Sequence, residues 1–143
     1  MRDGRTGATL VELLLTLALL ALLFGIALPA LTATLDAEGA RGAAVEVVAA
    51  FATARGRAIV RGAPVAVLLD SARRTVVVRD GGDTVLCRDL GDAHGVSVSA
   101  SRDSMAFGAS GLGYGAANLR VVVRRGAATE TVYVSRLGRV RWR

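Results

Sequence analysis

A run of 23 residues without a charged side chain, from Leu13 to Leu35, constrains this sequence more than any other feature. In a helix that rises about 1.5 Å per residue, such a run crosses a hydrocarbon core of roughly 30 Å. The apolar core of a removable signal peptide usually has about 7 to 15 residues and ends in a small-x-small site. This run is longer, and leucines occupy the position three residues before its candidate cut points. The sequence therefore predicts a membrane-spanning helix that stays in the chain.

The charges on either side of the apolar run predict its orientation. Arg2 and Arg5 precede it, while Asp36 and Glu38 follow it. Under the positive-inside rule, the short N-terminus lies in the cytoplasm. We therefore expect a single-pass topology in which most of the chain lies outside the inner membrane.

A single acidic residue, Glu12, stands among leucine and valine where the apolar run begins. A carboxylate inside a membrane costs a few kcal/mol unless it is paired or reaches the interface. Two interpretations follow from the residues alone. Glu12 marks the cytoplasmic boundary of the helix, or its carboxylate is paired with another group.

The helical pattern continues beyond the apolar run and changes its character. Pro29 removes one backbone donor, so a kink or local melting is expected near Ile26 to Pro29. Apolar residues then recur at spacings of three and four as far as Ile59, which predicts an amphipathic helix. Gly62 and Pro64 predict its end, and the arginines of its last two turns are expected to be solvated and to favour the helix dipole.

From Val65 onward, short valine-rich runs with period-two alternation predict strands. A long helix that is amphipathic in its second half needs a sheet to pack against. We therefore expect an α+β fold with an antiparallel sheet, or two small sheets, on the C-terminal half of the helix. The predicted strands are Val65–Leu69, Thr75–Arg79, Thr84–Arg88, Val96–Ala100, Ser104–Phe107, Asn118–Arg125, Glu130–Ser135 and Arg139–Trp142. The glycines between Gly108 and Gly115 predict a flexible connection.

The net charge of +6 comes from the end of the chain. Residues 120–143 hold seven arginines and one acid, Glu130. Strand alternation places Arg139, Arg141 and Arg143 on one face, with Arg136 close by in sequence. Such a ladder suits phosphate groups. It is equally consistent with a strand edge kept soluble by charge, or with a surface for acidic lipid or partner subunits.

Catalytic and metal sites are not expected. His94 lies in a loop-like segment and is expected to be solvated, and Ser110 lacks the strand-to-helix context of a nucleophile elbow. The glycines from Gly111 to Gly115 precede no helix, so they do not predict a phosphate-binding loop. Cys87, the single cysteine, is expected to be a small hydrophobic strand residue. One cysteine and one histidine do not make a zinc cluster, and we expect no cofactor.

The segment Gly7-Ala8-Thr9-Leu10-Val11-Glu12 resembles the processing signal of type IV pilins and type II secretion pseudopilins. The resemblance implies that a prepilin peptidase cleaves between Gly7 and Ala8 and that Ala8 is then N-methylated. Family members usually have phenylalanine where this chain has Ala8. For Glu12 the resemblance implies an assembly role, in which the N-terminal amine of a neighbouring subunit satisfies the carboxylate.

Later segments resemble the family that joins type II secretion protein H with the minor pilin FimT. These segments are Phe51–Arg55 with the junction up to Val65, Met105–Phe107 with Gly111, Val132–Ser135, and Gly138–Arg141. The resemblance implies a type IV pilin-like fold with a leader at 1–7, a transmembrane half-helix at 8–35, an amphipathic half-helix at 36–63 and a periplasmic β domain at 64–143.

Two functions are consistent with this resemblance. In the first, the chain is a minor pseudopilin near the tip of a periplasmic pseudopilus that supports export of folded proteins. Its implied partners are other pseudopilins, the prepilin peptidase, the inner-membrane assembly platform, and secreted cargo or the outer-membrane channel. In the second, it is a FimT-like minor pilin that binds DNA during uptake through Arg136, Arg139, Arg141 and Arg143.

Overall fold

The computed structural model describes residues 9–114 and 118–143. Its longest element is the helix α1, Leu10–Arg61, which begins after Thr9 and ends where Gly62 adopts a positive φ of 64°. α1 is unbroken at Pro29, so the local melting expected there does not occur. Thr32 Oγ1 donates a hydrogen bond of 2.9 Å to the Pro29 carbonyl. This bond does not replace the one that Pro29 cannot donate to the Gly25 carbonyl.

Nine strands and one short helix follow α1. They are β1 (Val65–Asp70), β2 (Thr75–Asp80), β3 (Asp83–Asp89), α2 (Leu90–His94), β4 (Ser97–Ala100), β5 (Ser104–Phe107), β6 (Gly113–Tyr114), β7 (Leu119–Arg125), β8 (Ala128–Val134) and β9 (Val140–Trp142). The strands form two antiparallel sheets. The first has the order β3-β2-β1-β5-β6, and the second has the order β4-β7-β8-β9. The expected α+β fold is confirmed, and of the two arrangements expected, one sheet or two small sheets, the structure has two.

The chain divides into two compact units, Met1–Thr34 and Leu35–Arg143. In the first unit, the described side chains are exposed. α1 is long and apolar enough to cross a membrane, and no other described helix is. The second unit contains the buried core and both sheets.

The core of the second unit forms around one face of α1 that consists mainly of alanine. Ala43, Ala50, Ala54 and Ala58 are fully buried, and Phe51 is the largest buried side chain of the helix. Valines from both sheets complete the same core cluster. Phe51 meets Phe107 edge to face, with ring centroids 6.3 Å apart and an interplanar angle of 82°.

Two elements were not expected. The segment Leu90–His94, interpreted as a loop, is the helix α2, which Asp89 caps at its start and Gly95 at its end. The Asp89 carboxylate accepts a 2.9 Å hydrogen bond from the Asp92 amide, and Gly95 has a φ of 66°. β6 is the second addition, because Gly113 and Tyr114 pair with β5.

Cys87 is a strand residue, as expected, but its side chain is exposed and does not contribute to the core. Cys87 lies in β3, which is an edge strand of the first sheet. Neither face of β3 is fully covered, so alternation along this strand does not separate buried from exposed positions.

Candidate functional site

The start of α1 places Glu12 in the first helical turn. Thr9 Oγ1 accepts a 3.2 Å hydrogen bond from the Glu12 amide, so Thr9 caps the helix. The Glu12 side chain is exposed, and no ion pair within 4.0 Å reaches it from the residues that the structure describes. The predicted cleavage and methylation positions, Gly7 and Ala8, lie outside the described residues.

The outer face of the second sheet carries the C-terminal arginines in register. Arg141 lies opposite Tyr133, which in turn lies opposite Arg120 on β7. Backbone hydrogen bonds join Ser135 to Arg139 at one end of β9 and Thr131 to Arg143 at the other. Arg139, Arg141 and Arg143 are all exposed, as strand alternation predicts. Arg136 is also exposed, in the turn that connects β8 to β9.

The inner side of β9 is held by Trp142. Its indole Nε1 donates a 2.7 Å hydrogen bond to Glu130, and the Arg41 guanidinium of α1 lies 5.5 Å from the ring centroid. A cation at that distance from an aromatic face is attracted to it. Glu130, the one acid in the basic C-terminal segment, therefore binds the indole and does not pair with the outward arginines. The sequence showed Trp142 on the opposite face from the arginines but gave no signal for its two partners.

Two shallow hollows flank the Tyr133–Arg141 pair. One, of about 330 Å³, is lined by Leu137, Arg139 and Arg141 together with residues of β8. The other, of about 410 Å³, is lined by Thr131, Tyr133, Arg141 and Arg143. Neither hollow has an acidic side chain in its lining. This surface, defined by Tyr133, Arg139, Arg141 and Arg143, is called the arginine face below.

The glycine-rich connection, expected to be flexible, makes specific hydrogen bonds within residues 108–114. The Gly113 amide donates a 2.7 Å hydrogen bond to the Arg136 carbonyl, and Arg55 Nε donates to the Gly111 carbonyl at 3.1 Å. Gly111 has a φ of 72°, a conformation that favours glycine. The segment therefore connects the end of α1 with the turn before β9. Residues 115–117 lie outside the described part of the chain.

Asp80 is the buried charged residue that sequence reasoning missed. Its side chain is 3% exposed and lies 2.7 Å from Arg61 Nη1 and 3.0 Å from Arg57 Nε. Hydrogen bonds from Arg61 and then Arg57 lower the pKa of the Asp80 carboxyl from its usual value of 3.8. Arg57 and Arg61 thus bind the end of β2, a contact that was not expected beside their solvation and their interaction with the helix dipole. The sequence contains only an indirect indication of this burial, because Asp80 precedes two glycines and resembles an ordinary polar turn residue.

His94 is not a solvated loop residue. Its side chain is 21% exposed, and its Nε2 lies 3.2 Å from Glu46 Oε1 on α1. A Cβ at Gly42 would lie 2.8 Å from the imidazole ring, so the ring occupies space that this glycine leaves open. The nearby Arg125 donates to the His94 carbonyl at 2.8 Å and pairs with Asp36 at 3.2 Å.

This arrangement binds and positions elements of the second unit. Asp80 connects β2 with α1 through two ion pairs, and Glu46 connects α1 with α2 through its contact with His94. Among residues 9–114 and 118–143, no group of three or more His, Cys, Asp or Glu side chains is placed to hold a metal ion. The exposed features available to a partner are the apolar half of α1 with Glu12, and the arginine face.

A family model described as type II transport protein GspH matches residues 43–138. No curated protein sequence matches the chain. Among solved structures, the type IV minor pilin FimU of Pseudomonas aeruginosa is similar, with a TM-score of 0.62 and 14% identity over 73% of this chain and 87% of FimU. The minor pseudopilin EpsH from the type 2 secretion system of Vibrio cholerae has a TM-score of 0.57 and 13% identity, over 73% of this chain and 95% of EpsH. At these identities the structural similarity concerns the fold.

Proposed function

Because this chain belongs to the family of type II transport protein GspH, we propose that it is a minor pseudopilin of a type II secretion system. At the coarser level, it is a pilin-like structural subunit with a type IV pilin-like fold. The proposal adds the system in which it works, a place at or near the tip of a periplasmic pseudopilus, and support for export of folded proteins across the outer membrane.

The observation that carries the proposal is the dual character of α1. Its first part is exposed and apolar, whereas its second part supplies the central face of the β domain core. One helix thus connects a membrane anchor to a folded domain. A subunit of this kind can leave the bilayer when its apolar half packs among equivalent helices of other subunits. In this proposal the function is assembly, and no chemical step is needed.

Glu12 provides the assembly contact in this proposal. Prepilin peptidase cleaves after Gly7, and Ala8 becomes a methylated N-terminus. The Glu12 carboxylate then pairs with the N-terminal amine of a neighbouring subunit. An unpaired carboxylate costs a few kcal/mol in an apolar environment, so only a correctly placed neighbour removes that cost. This sets the axial register of the incoming subunit.

A filament-incorporation experiment tests this role. We expect Glu12→Ala to be cleaved normally but recovered with other pseudopilins at least tenfold less than the native chain after cross-linking in cells. Glu38→Ala is the matched control, because Glu38 is an exposed acid of α1 beyond the apolar run. Equal recovery of the Glu12→Ala variant and the native chain would contradict the register role.

A second candidate function is DNA binding during uptake by a type IV pilus. The arginine face favours it, since its hollows combine guanidinium groups with Tyr133 and have no acidic side chain in their linings. Each phosphate contact would release counterions and make binding depend steeply on salt. Under this alternative, the double variant Arg139→Ala/Arg141→Ala no longer retards double-stranded DNA. The control variant Arg102→Ala, between β4 and β5, retards it as the native chain does. No retardation by the native chain near physiological salt would exclude this function.

A further inference from the structure

We propose that β9 is a docking edge for an extended acidic segment of a partner protein, which adds to the second sheet as a fifth strand. The inference rests on the proposed function for the setting in which a partner is met. The juxtaposition that carries it is an edge strand, β9 with its flanking residues Arg139 and Arg143, whose outward side chains are all arginines. Along one side of this strand, the backbone groups have no partner among the described residues.

The backbone N–H and C=O groups on one side of β9 point away from β8 and make no hydrogen bond to it. Thr131 and Arg143 exchange both of their backbone hydrogen bonds, at 2.7 and 3.0 Å. In an antiparallel pair, alternate residues of a strand direct their N–H and C=O groups away from the partner strand. Val140 and Trp142 therefore direct theirs toward the edge of the sheet, because no described strand pairs with β9 on that side.

The side chains along β9 favour one kind of incoming strand. Arg139, Arg141 and Arg143 project outward at every second position, while Val140 and Trp142 lie on the inner side. Opposite charges on neighbouring strands stabilise a pair, and like charges destabilise it. The best complement is a strand that alternates acidic and apolar residues. A second copy of β9 would bring arginine against arginine and is disfavoured.

The other sheet edges in the described chain lack this character. β3 carries both signs of charge, at Asp83, Arg88 and Asp89, and β4 and β6 carry no charged residue. β9 is also fixed in advance by the contacts of Trp142 with Glu130 and Arg41. A preorganised edge loses less conformational entropy on binding than a mobile one. Its single sign of charge makes the edge selective between partners.

Two peptides of identical composition separate strand addition from simple charge attraction. The probe is acetyl-Thr-Glu-Val-Glu-Val-Glu-Thr-amide, and its control is acetyl-Thr-Glu-Glu-Glu-Val-Val-Thr-amide. With the full chain in detergent micelles at low salt, we expect the alternating peptide to bind at least tenfold more tightly. At saturation it should slow hydrogen exchange at the Val140 and Trp142 amides at least tenfold. Equal affinities, or unchanged exchange at both amides, would overturn the proposal.

Variants distinguish the backbone contribution from the charge contribution. Val140→Pro keeps every arginine but removes an N–H that β8 does not use, and proline is tolerated on edge strands. It should abolish the preference for the alternating peptide. Arg141→Ala should weaken that peptide about two- to fivefold, whereas Arg102→Ala should leave its affinity unchanged. Native-like fluorescence of Trp142, the only tryptophan, would show that β9 is intact in each variant.

Double-stranded DNA provides the competing outcome. If DNA binds at Arg141 while neither peptide does, the arginine face is a nucleic-acid surface and the strand-addition proposal is wrong. None of these results depends on Glu12. If the peptide experiments contradict strand addition, the proposed assembly function is unaffected, because the incorporation experiment tests it independently.

Discussion

Truncation of Phe51 to alanine should destabilise the β domain more than any change on the exposed side of α1. Phe51 is 1% exposed and packs edge to face on Phe107. Removal of a buried phenylalanine side chain costs about 3–5 kcal/mol, which includes the cavity that remains. For a domain of this size, about 4 °C is lost per kcal/mol, so the melting temperature should fall by about 12–20 °C.

The assay is thermal and urea unfolding of the fragment Leu35–Arg143, which forms a compact unit containing the whole described core. Val60→Ala is the matched control, because Val60 is 87% exposed on the same helix and its truncation should change the stability by less than about 0.5 kcal/mol. A double-mutant cycle of Phe51→Leu and Phe107→Leu should give a coupling of about 0.5–1.5 kcal/mol. If Phe51→Ala costs no more than Val60→Ala, α1 is not the centre of the core and the packing argument fails.

Two further stability predictions concern charge and glycine positions. The pKa of Asp80 is lowered in the folded protein, so its carboxylate stabilises the fold above its unfolded pKa, and that contribution disappears as the pH falls through the lowered folded value. Asp80→Asn should therefore be less stable than the native protein at pH 7, and the difference in free energy of unfolding should narrow below about pH 4. The control, Asp103→Asn, should differ little from the native protein in free energy of unfolding. Parallel curves of unfolding free energy against pH for the native and Asp80→Asn proteins would contradict this. Gly126→Ala should destabilise by about 1–2 kcal/mol, because Gly126 has a φ of 51° and a Cβ there overlaps the Asp36 carboxylate. Gly56→Ala should stabilise by about 0.5–1 kcal/mol, because a Cβ at this helical position meets open space. The midpoints of urea unfolding test both glycine variants. Midpoints that shift in the same direction for Gly126→Ala and Gly56→Ala would refute the distinction.

The sequence predicted the order of the main elements because helix and strand leave different periodicities. Gly62 and Pro64 predicted the end of α1, which lies at Arg61. Alternation also predicted that Arg139, Arg141 and Arg143 share an exposed face. These features depend on residues that are close together in the sequence, so one sequence is enough to predict them.

Features that depend on tertiary contacts were predicted less well. The buried face of α1 is largely alanine, so the recurrence of apolar residues did not separate that face from Ile59, which is 49% exposed. The exposure of Cys87 was not predicted, because the position of β3 at a sheet edge is set by strand pairing and not by its own residues. The same holds for Asp80, whose burial and two arginine partners come from packing between α1 and β2.

The sequence contains capping residues for α2, but the helix is too short to show a helical periodicity. Asp89 and Asp92 form an N-terminal cap, and Gly95 forms a C-terminal cap. Together they define a helix of five residues, shorter than the window over which periodicity is informative. The pairing of His94 with Glu46 follows from this helix and from the open space at Gly42.

We propose that the chain is a structural subunit needed for protein export. The most direct test is the amount of secreted protein in the medium of a bacterium that lacks only this gene, with and without re-expression of the native chain or the Glu12→Ala variant. The account predicts that secreted proteins accumulate in the periplasm, that the native chain restores export, and that the variant does not. Normal export in the deletion strain, together with loss of DNA uptake, would contradict the claim and assign the chain to a type IV pilus.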